Sequence, residues 1–180
     1  MAFSGVQQLS SKSFTCGFCG NRIASSKGWY NGDNGRLIYV CSHCDQPTYF
    51  AASGQIPGVA PGEEIQHLPA EIEALYREAR NCVAASCYTA AVLLARKLLM
   101  HIGVQQGAQP NQSFLSYVDH LATAGYVPPN GRAWVDHIRN KGNEATHKIV
   151  LMTQGDAQEL LAFAGMLLKF IYEFPNRVPK

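Results

Sequence analysis

The spacing of apolar positions changes partway along the chain. From about residue 68 onward they recur every three or four residues, the period of a helix with one buried face. Ile72, Leu75, Tyr76, Ala79, Cys82 and Val83 form the first such face, with Glu71, Glu73, Arg77, Glu78 and Arg80 mostly off it. Pro69 suits the first position of this helix, where an amide hydrogen would have no partner. A break at Ser86-Cys87 leads into Tyr88, Ala91, Val92, Ala95, Leu98, Leu99 and Ile102, and Gly103 and Gly107 allow a stop. Asn111-Gln112-Ser113 predicts the cap of a third helix, through Phe114, Leu115, Val118 and Leu121 to about Gly125. Pro128-Pro129-Asn130 marks a corner, and a fourth helix carries Ala133, Trp134 and Ile138. Thr153 and Asp156 have the spacing of a capping box. The last helix follows, through Leu160, Leu161, Ala164, Leu167, Leu168 and Ile171, with a stop expected before Pro175. Helices joined by short loops predict an antiparallel bundle.

The first sixty residues lack that period. Residues 1–14 are polar and serine-rich and read as a loose lead-in. Trp29-Tyr30 leads into the turn cluster Asn31-Gly32-Asp33-Asn34-Gly35, and Arg36 to Val40 is a β-branched and aromatic stretch that reads as a strand running into Cys41, which together predict a hairpin. Pro47-Thr48-Tyr49-Phe50 predicts one more short strand. Residues 53–62 hold three glycines and two prolines and read as a linker.

Six cysteines are present. Four of them form two knuckles, Cys16-Gly17-Phe18-Cys19 and Cys41-Ser42-His43-Cys44. A thiolate pair with two residues between can wrap a tight turn around one metal ion, and two such pairs complete a tetrahedron. That is the ligand set of a structural Zn2+ site, closed to water and so not catalytic. His43 and His67 are spare ligands the site does not need. Cys82 and Cys87 fall in an alanine-rich helical stretch and read as small buried hydrophobes. A ribbon of this kind holds together a segment too small to build its own core, or offers a docking surface; the sequence leaves both open.

Composition narrows the classes. Hydrophobic residues make up 47%, enough for a packed core. No apolar run is long enough to span a bilayer, and no basic-then-apolar leader opens the chain, so no membrane association and a cytoplasmic setting are expected. The formal net charge is +2. Residues 1–62 carry four basic and two acidic side chains, and residues 63–180 carry 11 of each. Neither part has the strongly basic face that grips long nucleic acid, so any such contact is local.

A further segment carries chemistry: Arg139, Asn140, Gly142, Asn143, Glu144 and His147 in close succession. An arginine beside a histidine could cleave RNA without metal. The imidazole would deprotonate a ribose 2′-hydroxyl and the guanidinium would hold the charge growing on the phosphate. The same residues have a structural reading, in which Asn143 caps a helix and Glu144 pairs with Arg139 or Lys148. Arg96 with His101 and Arg132 with His137 repeat the arginine–histidine spacing in unrelated contexts.

Several stretches together resemble HEPN domains: Leu75 to Arg80, Ala90 to Leu99, Ile138-Arg139, and the run Gly142-Asn143-Glu144-Ala145-Thr146-His147. Most similar is the uncharacterised bacterial HEPN-like family associated with restriction endonucleases, preceded by a zinc ribbon resembling Cys41 to Cys44 with Pro47-Thr48. The resemblance implies a mainly α fold, a HEPN-like antiparallel helical bundle behind a small N-terminal β zinc ribbon. The expected boundaries are 1–52 for the ribbon, 53–66 for the linker and 67–176 for the bundle. It implies a homodimer through the bundle, an RNA or protein partner, and a place in a bacterial defence or toxin-type system. The expected role is a non-catalytic protein or nucleic-acid binding and dimerisation module. The alternative is a metal-independent endoribonuclease in which Arg139, Asn140 and His147 supply the motif, supported by Gly142, Asn143 and Glu144. His147 stands beyond the usual motif spacing.

Overall fold

The computed structural model describes residues 4–30, 32, 36–52, 54–128, 133–138 and 150–177. The chain divides into two compact units, Met1–Ala60 and Pro61–Lys180.

The first unit corrects the expected fold class. Instead of a small zinc ribbon ahead of a mainly α chain, it is a five-stranded antiparallel sheet, and the fold is α plus β. The strands β1 (Gln7–Thr15), β2 (Arg22–Tyr30), β3 (Leu37–Val40), β4 (Pro47–Ala51) and β5 (Gly54–Ile56) pair in chain order as a meander. The serine-rich lead-in is therefore mostly β1. Part of the glycine- and proline-rich stretch read as a linker is β5.

Three causes hid these strands. Leu9 and Phe14 both reach the same core cluster, although an odd spacing should put them on opposite faces. A register irregularity between Gln8 and Lys12 takes up the difference. In β2 the buried Ser25 engages Lys27 through both its backbone nitrogen and its carbonyl, which masks the alternation. At Gly28 a Cβ would sit 1.8 Å from the Ile38 carbonyl oxygen, so only glycine permits the β2–β3 approach there.

One face of the sheet packs Phe14 and Tyr39 with the knuckle cysteines, and Phe50 meets Phe14 edge-on at 5.0 Å. The Tyr39 hydroxyl donates to the Ser10 carbonyl at 2.8 Å. On the other face the register aligns Trp29, Ile38, Tyr49 and Ile56 across four strands.

The second unit is helical. It comprises α1 (Ala70–Ala84), α2 (Tyr88–Gln105), α3 (Phe114–Thr123), α4 (residues 133–138) and α5 (Gln154–Leu168). A π-helical turn (Lys169–Glu173) and α6 (Phe174–Arg177) follow. Helix α2 packs against α1, α3 and α5. Its Ala91, Ala95, Leu98, Leu99 and Ile102 are fully buried, so one helix supplies the middle of the core. Ser113 caps α3 by accepting from Ser116 N, and Thr153 with Asp156 forms a reciprocal capping box on α5.

The helix does not stop before Pro175. It passes through the π turn, where Phe174 N reaches back to Lys169 O. The wider turn brings Pro175 into the start of α6, where its missing amide hydrogen costs little. No helix among the described residues is long and apolar enough to cross a membrane.

Phe163 is fully buried and meets Trp134 edge-on at 5.0 Å. Phe163→Ala is expected to cost about 3–5 kcal/mol in urea unfolding. Leu151 is 84% exposed, and Leu151→Ala is expected to stay within about 0.5 kcal/mol.

Candidate metal centre

Each knuckle is a tight turn built in the same way. The Phe18 amide donates to Cys16 Sγ, and the His43 amide donates to Cys41 Sγ, both at 3.4 Å. Cys16 N donates to the Asn21 carbonyl and Cys41 N to the Gln46 carbonyl, both at 2.9 Å. Gly20 and Asp45 each donate back to the first cysteine's carbonyl. Both sit at positive φ, 70° and 57°, the region glycine and, less readily, aspartate tolerate. Cys-x-x-Cys, then Gly or Asp, then Asn or Gln, is thus one six-residue turn used twice. That repeat is legible in the sequence only once the positive-φ requirement is known.

The β1–β2 connection carries the first knuckle and the β3–β4 connection carries the second. The sheet brings all four sulfurs within 4.8 Å of one another. Cys16 Sγ lies 3.7 Å from Cys44 Sγ, and Cys19 Sγ lies 3.8 Å from Cys41 Sγ. Disulfide sulfurs would be about 2.05 Å apart, and all four cysteines are free. Cys16 and Cys41 are fully buried, while Cys19 and Cys44 are half-buried. These four residues form a possible metal-binding site, with cysteine sulfurs as its donors among the described residues.

Cys19 and Cys44 sit in different surroundings. Burial, with the neighbouring cysteines adding to it, pushes the Cys44 thiol up to about 12. At Cys19 burial also acts upward, but hydrogen bonds from Asn21 and the adjacent cysteines outweigh it, and the thiol falls to about 6. A metal ion bound by all four must displace their protons.

The other candidates fall differently. His43 is exposed, and its Nδ1 accepts from Asn21 Nδ2 at 3.1 Å. His67 is not part of the cluster. Cys82 packs partly buried against the helical core, but Cys87 is exposed at the start of α2, contrary to the expectation that both are buried. Arg139, Asn140, Gly142, Asn143, Glu144 and His147 lie outside the described residues, as does Arg132. Arg96 is buried with its guanidinium 4.2 Å from the Phe114 ring centre, whereas His101 is exposed, so these two form no joint site. His137 bonds Glu159 at 2.6 Å on the surface.

The molecule is thus an α plus β protein with a four-cysteine centre in its sheet unit. Residues 77–180, more than half of the chain, match the family described as "Domain of unknown function (DUF4145)", and the protein belongs to that family. The cysteine centre precedes the matched region. No curated protein and no solved structure matches the chain.

The full chain is expected to bind a single metal ion, measured by elemental analysis of the purified protein. Cys41→Ser is expected to abolish that binding and to shift Trp29 fluorescence toward the solvent-exposed value, with the helical circular dichroism largely kept. Free energies of about 10–16 kcal/mol for structural zinc in small modules set the scale of the loss.

Proposed function

We propose that the four thiolates hold Zn2+ as a structural ion, and that the protein is a non-catalytic binding module whose sheet unit takes single-stranded RNA. The zinc assignment rests on distance. A tetrahedron of sulfurs about 2.3 Å from zinc has edges of about 3.8 Å, and the two measured edges are 3.7 and 3.8 Å. Four thiolates close the coordination sphere, which leaves no position for a reacting water. Free thiolates kept for metal suit the reducing cytoplasm.

The observation that supports RNA binding is the cross-strand row on the outer sheet face. Tyr49 offers a ring for stacking, Trp29 and Ile38 align with it in the row, and Ile56 at its end is 60% exposed. Lys27, exposed two residues before Trp29 on β2, adds a phosphate contact beside the row. Stacking on such a platform is sequence-tolerant and needs little net charge beyond local cations. A +2 balance within residues 1–62 is of that modest kind. Dimerisation through the helical unit, and a defence or toxin-type setting, are supported by the HEPN resemblance of residues 142–147.

Fluorescence anisotropy of labelled single-stranded RNA with the zinc-loaded full chain tests this reading. Tyr49→Ala is expected to weaken binding about tenfold, and Lys27→Gln to reduce the salt slope by about 1. Binding left unchanged by both substitutions, or capture of a protein by this face with no RNA affinity, would overturn it. RNA cleavage in EDTA that is lost in both Arg139→Ala and His147→Ala would make the protein an endoribonuclease instead.

A further inference from the structure

A cavity of about 310 Å³ opens in the helical unit between residues 62–65, α1, α5 and the π turn. Its walls are apolar, with Ile65, Leu161, Met166, Phe170 and Phe174 among them. Phe170 and Phe174 stand edge-on at 5.3 Å, partly exposed at 45% and 39%. The volume is at the lower end of the range for small-molecule sites, roughly 300–1,000 Å³.

Two polar groups face this space. Tyr76 is only 4% exposed, and its side chain lines the cavity. Glycines from two separate segments leave room around its hydroxyl oxygen. A Cβ at Gly62 or at Gly165 would come within 2.8 Å of Tyr76 Oη. With neither glycine crowding it, the hydroxyl can donate to an acceptor placed in the cavity. Burial pushes the Tyr76 phenol up from its ordinary value, with Arg80 and Lys169 pulling it down. The hydroxyl therefore keeps its proton at neutral pH and is a donor.

The second group is Lys169, the first residue of the π turn, which also lines the cavity. Its ammonium pairs with Glu63, whose side chain is 76% exposed. Exposed ion pairs are weak and open to competition. Lys169 and Tyr76 lie near enough to act on each other's proton affinity. The π turn widens the helix where this wall is formed, a feature frequent at ligand sites.

We propose that this cavity binds a small carboxylate with a short apolar body. The carboxylate accepts from Tyr76 Oη and Lys169 Nζ and takes the place of the Glu63 side chain. The apolar body lies against Ile65, Leu161, Met166 and the two phenylalanines. The inference concerns the helical unit and does not depend on the metal centre or on RNA binding.

Sodium hexanoate titrated into the full chain is the test, followed through the methyl resonances of Ile65 and Met166. Saturable shifts in the millimolar range are expected, with hexan-1-ol and hexylammonium binding at least about tenfold more weakly. Tyr76→Phe and Lys169→Gln, each checked for an unchanged melting temperature, are each expected to weaken hexanoate about five- to tenfold. Gly165→Ala is expected to abolish binding, because its methyl fills the space beside the phenol. Three results would overturn the proposal: no saturable shift, equal affinity for hexan-1-ol, or unchanged affinity in both folded variants.

Discussion

Four thiol sulfurs drawn within 4.8 Å of one another set the terms for the whole N-terminal unit, because the sheet around them has little else to fold upon. Its buried hydrophobic cluster comprises Phe14, Tyr39 and the cysteines Cys16 and Cys41 themselves. A unit of about sixty residues buries too small a fraction of its surface to be robust by packing alone. The thiol cluster and the hydrophobic core are therefore one object. The knuckle turns place the sulfurs, the sulfurs pin the β1–β2 and β3–β4 connections, and those connections hold the register that aligns Trp29, Ile38, Tyr49 and Ile56 on the outer face.

The helical unit follows a different logic. Its core is large and built around α2, so it tolerates polar groups inside. Glu173 is 3% exposed, accepts from Gln66 N at 3.1 Å and pairs with Arg177, which ties the segment before α1 to the π turn. Arg96 is buried against Phe114, with Nη1 lacking a hydrogen bond among the described residues and its pKa lowered by burial. Tyr76 turns its side chain to the wall of a cavity. Such groups spend stability that a purely apolar core would keep, and the one that faces open space is where ligand chemistry is best supported.

Much of this was legible beforehand, for physical reasons that differ by element. The faces of α1, α2, α3 and α5 repeat at helical spacing, and Ser113 and Thr153 cap as their side chains dictate. The knuckles were legible because a Cys-x-x-Cys spacing is the one that lets two thiols face a single metal ion. β1 and β5 were not, and of β2 only its end at the hairpin with β3 was. An irregular register, a buried Ser25 bonded to the Lys27 backbone and a glycine-rich edge erase the alternation that marks a strand. The change of fold class follows from those misses. The π turn was hidden too, since Pro175 signals a stop that the wider turn evades. The arginine–histidine segment from Arg139 to His147 lies outside the described residues, so only the thiolate half of the candidate chemistry has a geometry to compare with its sequence.

Zinc-edge X-ray absorption on the purified full chain tests the central claim most directly. A closed thiolate site predicts a first shell of sulfur alone, with all scatterers at about 2.3 Å and no lighter ligand. A shell containing nitrogen or oxygen, or a chain that keeps its sheet with no metal bound, would contradict the account.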